Sequence, residues 1–523
     1  MIQLNNQSLK KKLNKVLKID WNDRNTNSDI ISILDYIEEN EVKIRNSYFE
    51  LINIISEKKI DGSPLSELYL YQSYYNLWQM SLICEKSFYK SSQITNILKF
   101  LAVVDLVEYY VPKELILLNT DSRINKIFKK YCSISKINFD VKKEKNSKAN
   151  PIKLIYFIKG ILIFGYKFFL NRDLKRYKSN YADGEKGALI VSYLTHFDKE
   201  KIAKNYYGTM LWGDFPETLS QFKVKTNWLH LPVNFENPYN LLKKLKINTL
   251  EKFSIHNFLY SFLSFKCWLK IFKDYLSISL QSYIIKSKEI FNYKNKVDLS
   301  PLFLDDFYNS LMGPVLLENL IFIKSFDAIF RAIPKQKIGF YLQENQGWEL
   351  ALNSAWRKYK HGKLVSVQHS TVSFWDLRYY NIYKDYPYKP DFFIVNSVFA
   401  KDHFLKLNYD RSQIQTLEAL RYSKLKKNYF SSKNQNKVLI LGDILKKATL
   451  EMLETIYSII PYCSEKKFYF KSHPAQPVRI NKEVSNINSI DEPLNKLLNN
   501  VNTVICPASS GAAVEAFYGN LKT

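Results

Sequence analysis

From residue 181 onward, short apolar runs rich in Val, Ile and Phe alternate with longer stretches in which apolar residues recur every three or four positions. The first pattern suits buried strands and the second amphipathic helices, so together they predict a parallel α/β sheet with crossover helices. Strands are expected over 188–193, 227–231, 337–342, 363–368, 391–395, 414–417, 438–441, 467–471 and 503–506. Helices are expected over 255–280, 301–331, 348–359, 398–407, 448–460, 493–499 and 510–518. A polar stretch at 431–436 divides these elements into two sets. The pattern therefore predicts an α/β fold of two Rossmann-like units in tandem, 181–430 and 431–523, with a ligand cleft at the carboxyl ends of the strands.

Residues 1–150 read differently. Their apolar periodicity, interrupted at Pro64 and Pro112, predicts a helical N-terminal region with Trp78 and Met80 in its core. The basic stretch 142–149 reads as a linker. Residues 151–180 then form a basic amphipathic segment, PIKLIYFIKGILIFGYKFFL followed by Arg172, Lys175, Arg176 and Lys178. Two readings of it stay open: a helix lying in a membrane interface, with 151–178 as a peripheral contact, or a helix packed on the core with its lysines reaching outward. It lacks the roughly 18 consecutive apolar residues of a membrane span.

Composition narrows the function. The 76 Lys plus Arg against 50 Asp plus Glu give a net charge of +26. The lysines are scattered and no zinc-finger or RNP-like motif accompanies them, which argues against nucleic acid. Five cysteines, none in a Cys-X-X-Cys pair, and an N-terminus without an apolar signal core predict a cytoplasmic protein without disulfides or zinc. Only 14 glycines occur, so each is expected where the backbone needs it, and Gly347, Gly442, Gly511 and Gly519 fall at strand–helix junctions.

Three constellations could carry chemistry. Lys471-Ser472-His473-Pro474 ends a strand of the second unit, where an imidazole can donate to a phosphate oxygen. Cys506-Pro507-Ala508-Ser509-Ser510-Gly511 leads into a helix that carries Glu515; its hydroxyls and free N–H groups make either an anion site or an ordinary N-cap. In the first unit, Tyr341-Leu342-Gln343-Glu344-Asn345-Gln346-Gly347-Trp348-Glu349 puts a carboxylate at a strand tip, with Glu344 favoured as general base over Glu349. His369, after the next strand, either lines the same cleft or bonds a neighbouring loop. No Asp-X-Asp, Walker loop, G-x-G-x-x-G, G-x-S-x-G or H-E-x-x-H occurs, so no metal site is expected, and kinase, dehydrogenase, serine hydrolase and zincin readings lose their support.

With His-Pro at 473–474, Ser-Ser at 509–510 and an acidic tip at Glu344, the chain resembles GT-B-fold transferases that use CMP-activated sugars: bacterial sialyltransferases, polysialyltransferases and capsule Kdo transferases. The strings LWQMSLICEKSFYKS, VSYLTHFD, NWLHLP, YLQENQGWE, VQHSTVSFWDLRYY and KSHPA are similar to a bacterial surface carbohydrate (O-antigen) biosynthesis family, over most of the chain. The resemblance implies a GT-B glycosyltransferase at the inner face of the cytoplasmic membrane. It would take a sugar from a CMP donor, with no other cofactor, to a glycan or lipid-linked glycan acceptor. Glu344 would deprotonate the acceptor, and His473, Ser509, Ser510 and Gly511 would hold the donor phosphate, with Glu349, His369, Gly442 and Glu515 near the cleft. In such enzymes the acidic motif is two acids and a glycine; here Asn345 and Gln346 follow Glu344. They also continue with a further strand and a C-terminal helix, so the second unit is expected to be incomplete at Thr523. A CDP-polyol phosphotransferase and an inactive membrane-associated scaffold are the alternatives.

Overall fold

The structure is a computed structural model that describes residues 15–24, 29–145, 152–181, 187–198, 201, 207–232, 254–294, 296–380, 388–420, 436–474, 476–481, 484–507 and 510–523. Three parallel sheets follow one another along the chain. The first holds β1 (Val16–Asp20), β2 (Ile31–Ser32), β3 (Glu114–Leu118) and β4 (Asn138–Lys142) in the order β2-β1-β3-β4. Around it lie α1 (Ile33–Glu39), α2 (Glu41–Ser56), α3 (Ile94–Tyr110) and α4 (Ser122–Ser135).

The N-terminal region is therefore not the helical extension that periodicity predicts. The strong apolar pattern of α3 masks the five-residue strands beside it. The turns that separate strand from helix carry no glycine, because Val111, Asn119 and Lys136 take left-handed φ values of 46°, 60° and 57°. Trp78 and Met80 are buried, as expected.

After α5 (Lys153–Asn171) comes a seven-stranded sheet. Its strands are β5 (Gly187–Tyr193), β6 (Lys225–Leu231), β7 (Ser254–Phe258), β8 (Ile338–Gln343), β9 (Lys363–Gln368), β10 (Phe392–Val395) and β11 (Ile414–Thr416). All pairs are parallel, in the order β7-β6-β5-β8-β9-β10-β11. Helices α6 (Phe265–Ile284), α7 (Ser300–Leu311), α8 (Pro314–Ala332), α9 (Gly347–Lys358) and α10 (Val398–Lys406) complete this unit. Two expectations fail locally. The helix expected over 255–280 starts only at Phe265, because Ser254–Phe258 pairs with β6 as an edge strand. The helix expected over 301–331 breaks at Gly313, where Pro314 opens α8 without the N–H that a continuous helix requires.

The third sheet holds β12 (Lys437–Leu441), β13 (Lys467–Lys471), β14 (Ile487–Ser489) and β15 (Thr503–Ile505) in the order β14-β13-β12-β15, again parallel. Alternate residues of β12 enter separate cores: Val438 and Ile440 pack with α11 (Lys446–Ile459), Leu439 and Leu441 with α12 (Gly511–Tyr518). This sheet is thus covered on both faces. The first two sheets share one continuous core running from Leu17 to Ile414. The chain is α/β, with Rossmann-like units in tandem.

Candidate active site

Numbered within its own unit, the seven-stranded sheet runs 3-2-1-4-5-6-7 and the last sheet 3-2-1-4. In each, the chain leaves the first strand in one direction and returns to its other side at the fourth, so the connecting loops diverge and open a crevice at their carboxyl ends. The first crevice lies between β5 and β8, the second between β12 and β15. Tyr193 ends β5 and Glu344 follows β8; Gly442 and Asp443 follow β12, and Ser510 precedes α12.

At the first crevice, the turn from β8 into α9 is held by side chains. Asn345 adopts a left-handed φ of 56°, which Asn tolerates better than most residues. Glu349, one turn into α9, accepts the backbone N–H groups of Glu344 at 2.9 Å and Gln346 at 3.1 Å. This closes the turn and fixes the direction of the Glu344 side chain. Gly347 is required by close approach, since a Cβ there would lie 2.7 Å from Asn319 Oδ1. The Tyr379 hydroxyl donates to the Gln343 carbonyl at 2.9 Å.

Glu344 is the carboxylate this framework presents. Its Oε1 lies 3.2 Å from His369 Nε2, at the end of β9, and its Oε2 accepts from the Gln346 amide. Tyr193 Oη is 3.5 Å away and itself accepts from Trp348 Nε1 at 2.7 Å. Burial opposes ionisation of Glu344, but the His369 hydrogen bond, with Arg378 and Lys90, outweighs it and holds the carboxyl down to about 2. Glu349 goes the other way: burial, aided by the nearby Glu344 charge, pushes it up to about 8 against its backbone hydrogen bonds. Two acids five residues apart are thereby split into an ionised group at the crevice and a buried one beneath it.

The second crevice is built mostly from backbone. Gly442, Asp443 and His473 follow adjacent strands, and a Cβ on Gly442 would lie 3.1 Å from the His473 amide nitrogen. Ser472 Oγ bonds both the N–H and the carbonyl of Val478 at 2.8 Å, closing the loop that carries His473. His473 is half-buried; burial lowers its pKa and Asp443 partly restores it. Ser510 Oγ accepts from Ala512 N at 3.2 Å, the ordinary N-cap of α12. Gly511 is the first residue of α12 and Glu515 lies one turn in, half-buried. Ser509 lies outside the described residues.

Tyr89, an exposed residue, lies within electrostatic reach of groups from both crevices. Burial of part of its ring raises its hydroxyl pKa, and the charges of Asp376, Asp443 and Glu344 raise it further while Arg378 opposes them. Arg378 binds Asp376 through Nε and Nη2, both at 2.8 Å, and lies over the Tyr89 ring. Lys90 donates to Gln346 Oε1 at 2.9 Å and to Glu85 at 3.0 Å. Beside these groups a cavity of about 490 Å³ is lined by Arg24 and Tyr89 of the N-terminal region, Trp375, Asp376 and Arg378 of the first unit, and Leu445 of the second. A second cavity, of about 480 Å³, lies between α2 and residues 66–86 and touches none of the crevice residues.

The structure thus brings Glu344 and His369 into direct contact. It puts Gly442 beside His473, and Ser510 and Gly511 at the same sheet edge. It removes Glu349 from the cleft, because that side chain is fully buried under the turn. Tyr89, Lys90, Tyr193, Arg378 and Asp443 belong to the site and escape sequence reasoning. Tyr193 and Asp443 carry a local signal, each at the tip of the first strand of its unit; the others arrive through loops of distant segments. Among the described residues, no group of three His, Cys, Asp or Glu side chains is placed to hold a metal ion.

No protein-family model matches the chain, and no curated protein matches its sequence. Solved structures give slight overlaps. A UDP-N-acetylglucosamine 2-epimerase from Rickettsia bellii shares 12% identity over 64% of this chain and 78% of its own, with a TM-score of 0.37. TarM shares 10% over 64% and 84%, also at 0.37, and the glycosyltransferase SnogD from Streptomyces nogalater 6% over 64% and 79%, at 0.29. At such TM-scores the likeness carries no argument about activity, which rests on the geometry of the two crevices.

Proposed function

We propose that the protein is a glycosyltransferase that moves a sugar from a nucleotide-activated donor, of the CMP-linked class, to a hydroxyl of a glycan acceptor in surface polysaccharide assembly. The observation that carries this reading is the ionised Glu344, held by His369 at the tip of one crevice, in a chain whose last sheet repeats the same strand order with Gly442 beside His473. Glu344 takes the acceptor proton as the hydroxyl oxygen bonds to the anomeric carbon. The bond from that carbon to the donor phosphate breaks, its electron pair leaves on the phosphate, and CMP departs. His473 and the N–H groups that open α12 stabilise the charge growing on that phosphate. The three-way cavity at Trp375 and Tyr89 offers aromatic faces and hydroxyls suited to a sugar ring.

The test is nucleotide release from CMP-, UDP- and CDP-linked donors with a glycan acceptor. Release of CMP, abolished by Glu344→Gln, is expected. Release from the CDP donor alone would replace glycosyl transfer with polyol-phosphate transfer. No release from any donor would leave a scaffold, and CMP release unchanged in His473→Ala would overturn the role given to the second crevice.

A further inference from the structure

The segment 153–171 is a helix lying along the protein surface, and it is half of a larger feature. Among the residues of α5 exposed to solvent are Ile155, Ile158, Leu162, Tyr166 and Phe169, with Leu162 68% exposed. At 100° per residue they form one stripe. On α6, Phe265, Leu269, Leu276, Leu280 and Ile284 do the same, with Leu280 64% and Ile284 73% exposed.

The two helices are neighbours. Phe157 stacks on Tyr275, Phe164 meets Phe272 and Phe168 meets Phe265 with tilted rings, and Lys153 Nζ donates to the Tyr283 carbonyl at 2.9 Å. Rising numbers on α5 meet falling numbers on α6, so the pair is antiparallel. The exposed stripe lies about 150° from the seam on α5 and about 85° on α6, in each case in the direction of increasing residue angle on its own helix. Antiparallel packing therefore puts both stripes on one side of the pair. Ten large apolar side chains thus share one exposed face, far beyond the scattered apolar exposure of an ordinary surface.

Charge identifies what covers it. The exposed lysines Lys159, Lys266, Lys270 and Lys273 edge or interrupt the stripes, and Arg172, Lys175, Arg176 and Lys178 follow α5 at the end where α6 begins. α5 contains no Asp or Glu, and the one acid of α6, Asp274, faces inward to Lys324 at 3.1 Å. An apolar face rimmed by many cations, with Asp173 the single acid within the basic run 172–178, complements a bilayer surface with anionic headgroups. Spanning is disfavoured for α5, because its other sides are tied to the protein: Lys167 to Glu318 at 3.2 Å, Tyr156 to Asp305 at 2.6 Å, and the Phe157 carbonyl to Tyr275 Oη at 2.9 Å.

We propose that α5 and α6 together form a docking platform for an anionic phospholipid surface, both helices lying in the plane of the interface. The platform stands independently of the transfer reaction, and vesicle binding needs no donor or acceptor. The test is co-sedimentation of the full chain with vesicles of phosphatidylcholine mixed with phosphatidylglycerol, against vesicles of phosphatidylcholine alone. Binding should favour the anionic vesicles and weaken with salt. Lys270→Glu/Lys273→Glu should lose about 30-fold or more in partitioning, and Leu162→Asp about ten-fold, each with native circular dichroism because all three positions are exposed. Equal partitioning to neutral vesicles, or wild-type binding in both variants, would overturn the platform. So would concentration-dependent self-association abolished by Leu162→Asp, which would give this face to a second copy of the chain.

Discussion

The two crevices share a strand order but are furnished differently. Between β5 and β8 the working groups are side chains in a dense buried network: Glu344 bonds His369 and Gln346, and Glu349 fixes the turn from below. Between β12 and β15 the groups are loop and helix ends, a half-buried His473 beside the Gly442 backbone and a capped helix N-terminus. The first suits proton transfer, which needs one carboxylate in one state and one direction. The second suits an anion, which needs several N–H donors and little side-chain ordering. One topology can therefore supply either chemistry, depending on whether side chains or backbone fill the space where the loops part.

The strongest way to break this contrast is to remove each crevice's central group. Glu344→Gln should lower kcat by about 10² to 10⁴-fold with nucleotide binding unchanged in calorimetry. His473→Ala should lower kcat by about 10² to 10³-fold and also weaken nucleotide binding. If both variants damaged only nucleotide binding, the division of labour would be wrong.

Acid stability sharpens the contrast between the units. In the first, His230 Nε2 and His256 Nδ1 sit 2.9 Å apart on adjacent strands, and burial drives both below the usual 6.5, His256 to about 3. Below pH 6.5 the unfolded chain binds protons that the native pair refuses. Stability is thus present above 6.5 and falls as pH drops toward 3, by about 1.4 kcal/mol per pH unit for each histidine. Hydrogen exchange across that window should show the seven-stranded sheet opening before the four-stranded one.

His369→Gln tests the network itself. Burial of Glu344 persists while its principal stabilising partner is gone, so its pKa must rise from about 2, and the acid limb of the pH–rate profile should move to higher pH. An unmoved limb would mean that His369 does not hold Glu344. The smallest effect is expected at the second crevice: Ser510→Ala removes a cap and should cost about 1 kcal/mol in urea unfolding.

Much of the fold is legible, because strands buried on both faces, such as Lys363–Gln368 and Lys437–Leu441, appear as apolar runs with clear ends. The N-terminal sheet is not, and the reason is the low glycine count. Scarcity suggested that the remaining glycines mark the special backbone positions. Among the described residues, however, left-handed φ occurs at 16 non-glycine residues and at only two glycines, Gly62 and Gly213. Lysine and asparagine make turns here that glycine usually signals, so boundaries such as Asn119 and Lys136 carry no glycine to mark them. At the site, Glu344 and His369 were visible as strand-end residues, but their contact needed the pairing of β8 with β9. Lys90 and Tyr89 were invisible for a plainer reason: they lie more than 250 residues from Glu344 in the chain and reach it only through tertiary packing.

The central claim is that both crevices serve one reaction. A crystal structure of the full chain with CMP tests it most directly. A phosphate oxygen is expected about 3 Å from a His473 ring nitrogen and from the N–H groups that open α12, turned toward Glu344. CMP seated where its phosphate meets neither His473 nor α12 would contradict it.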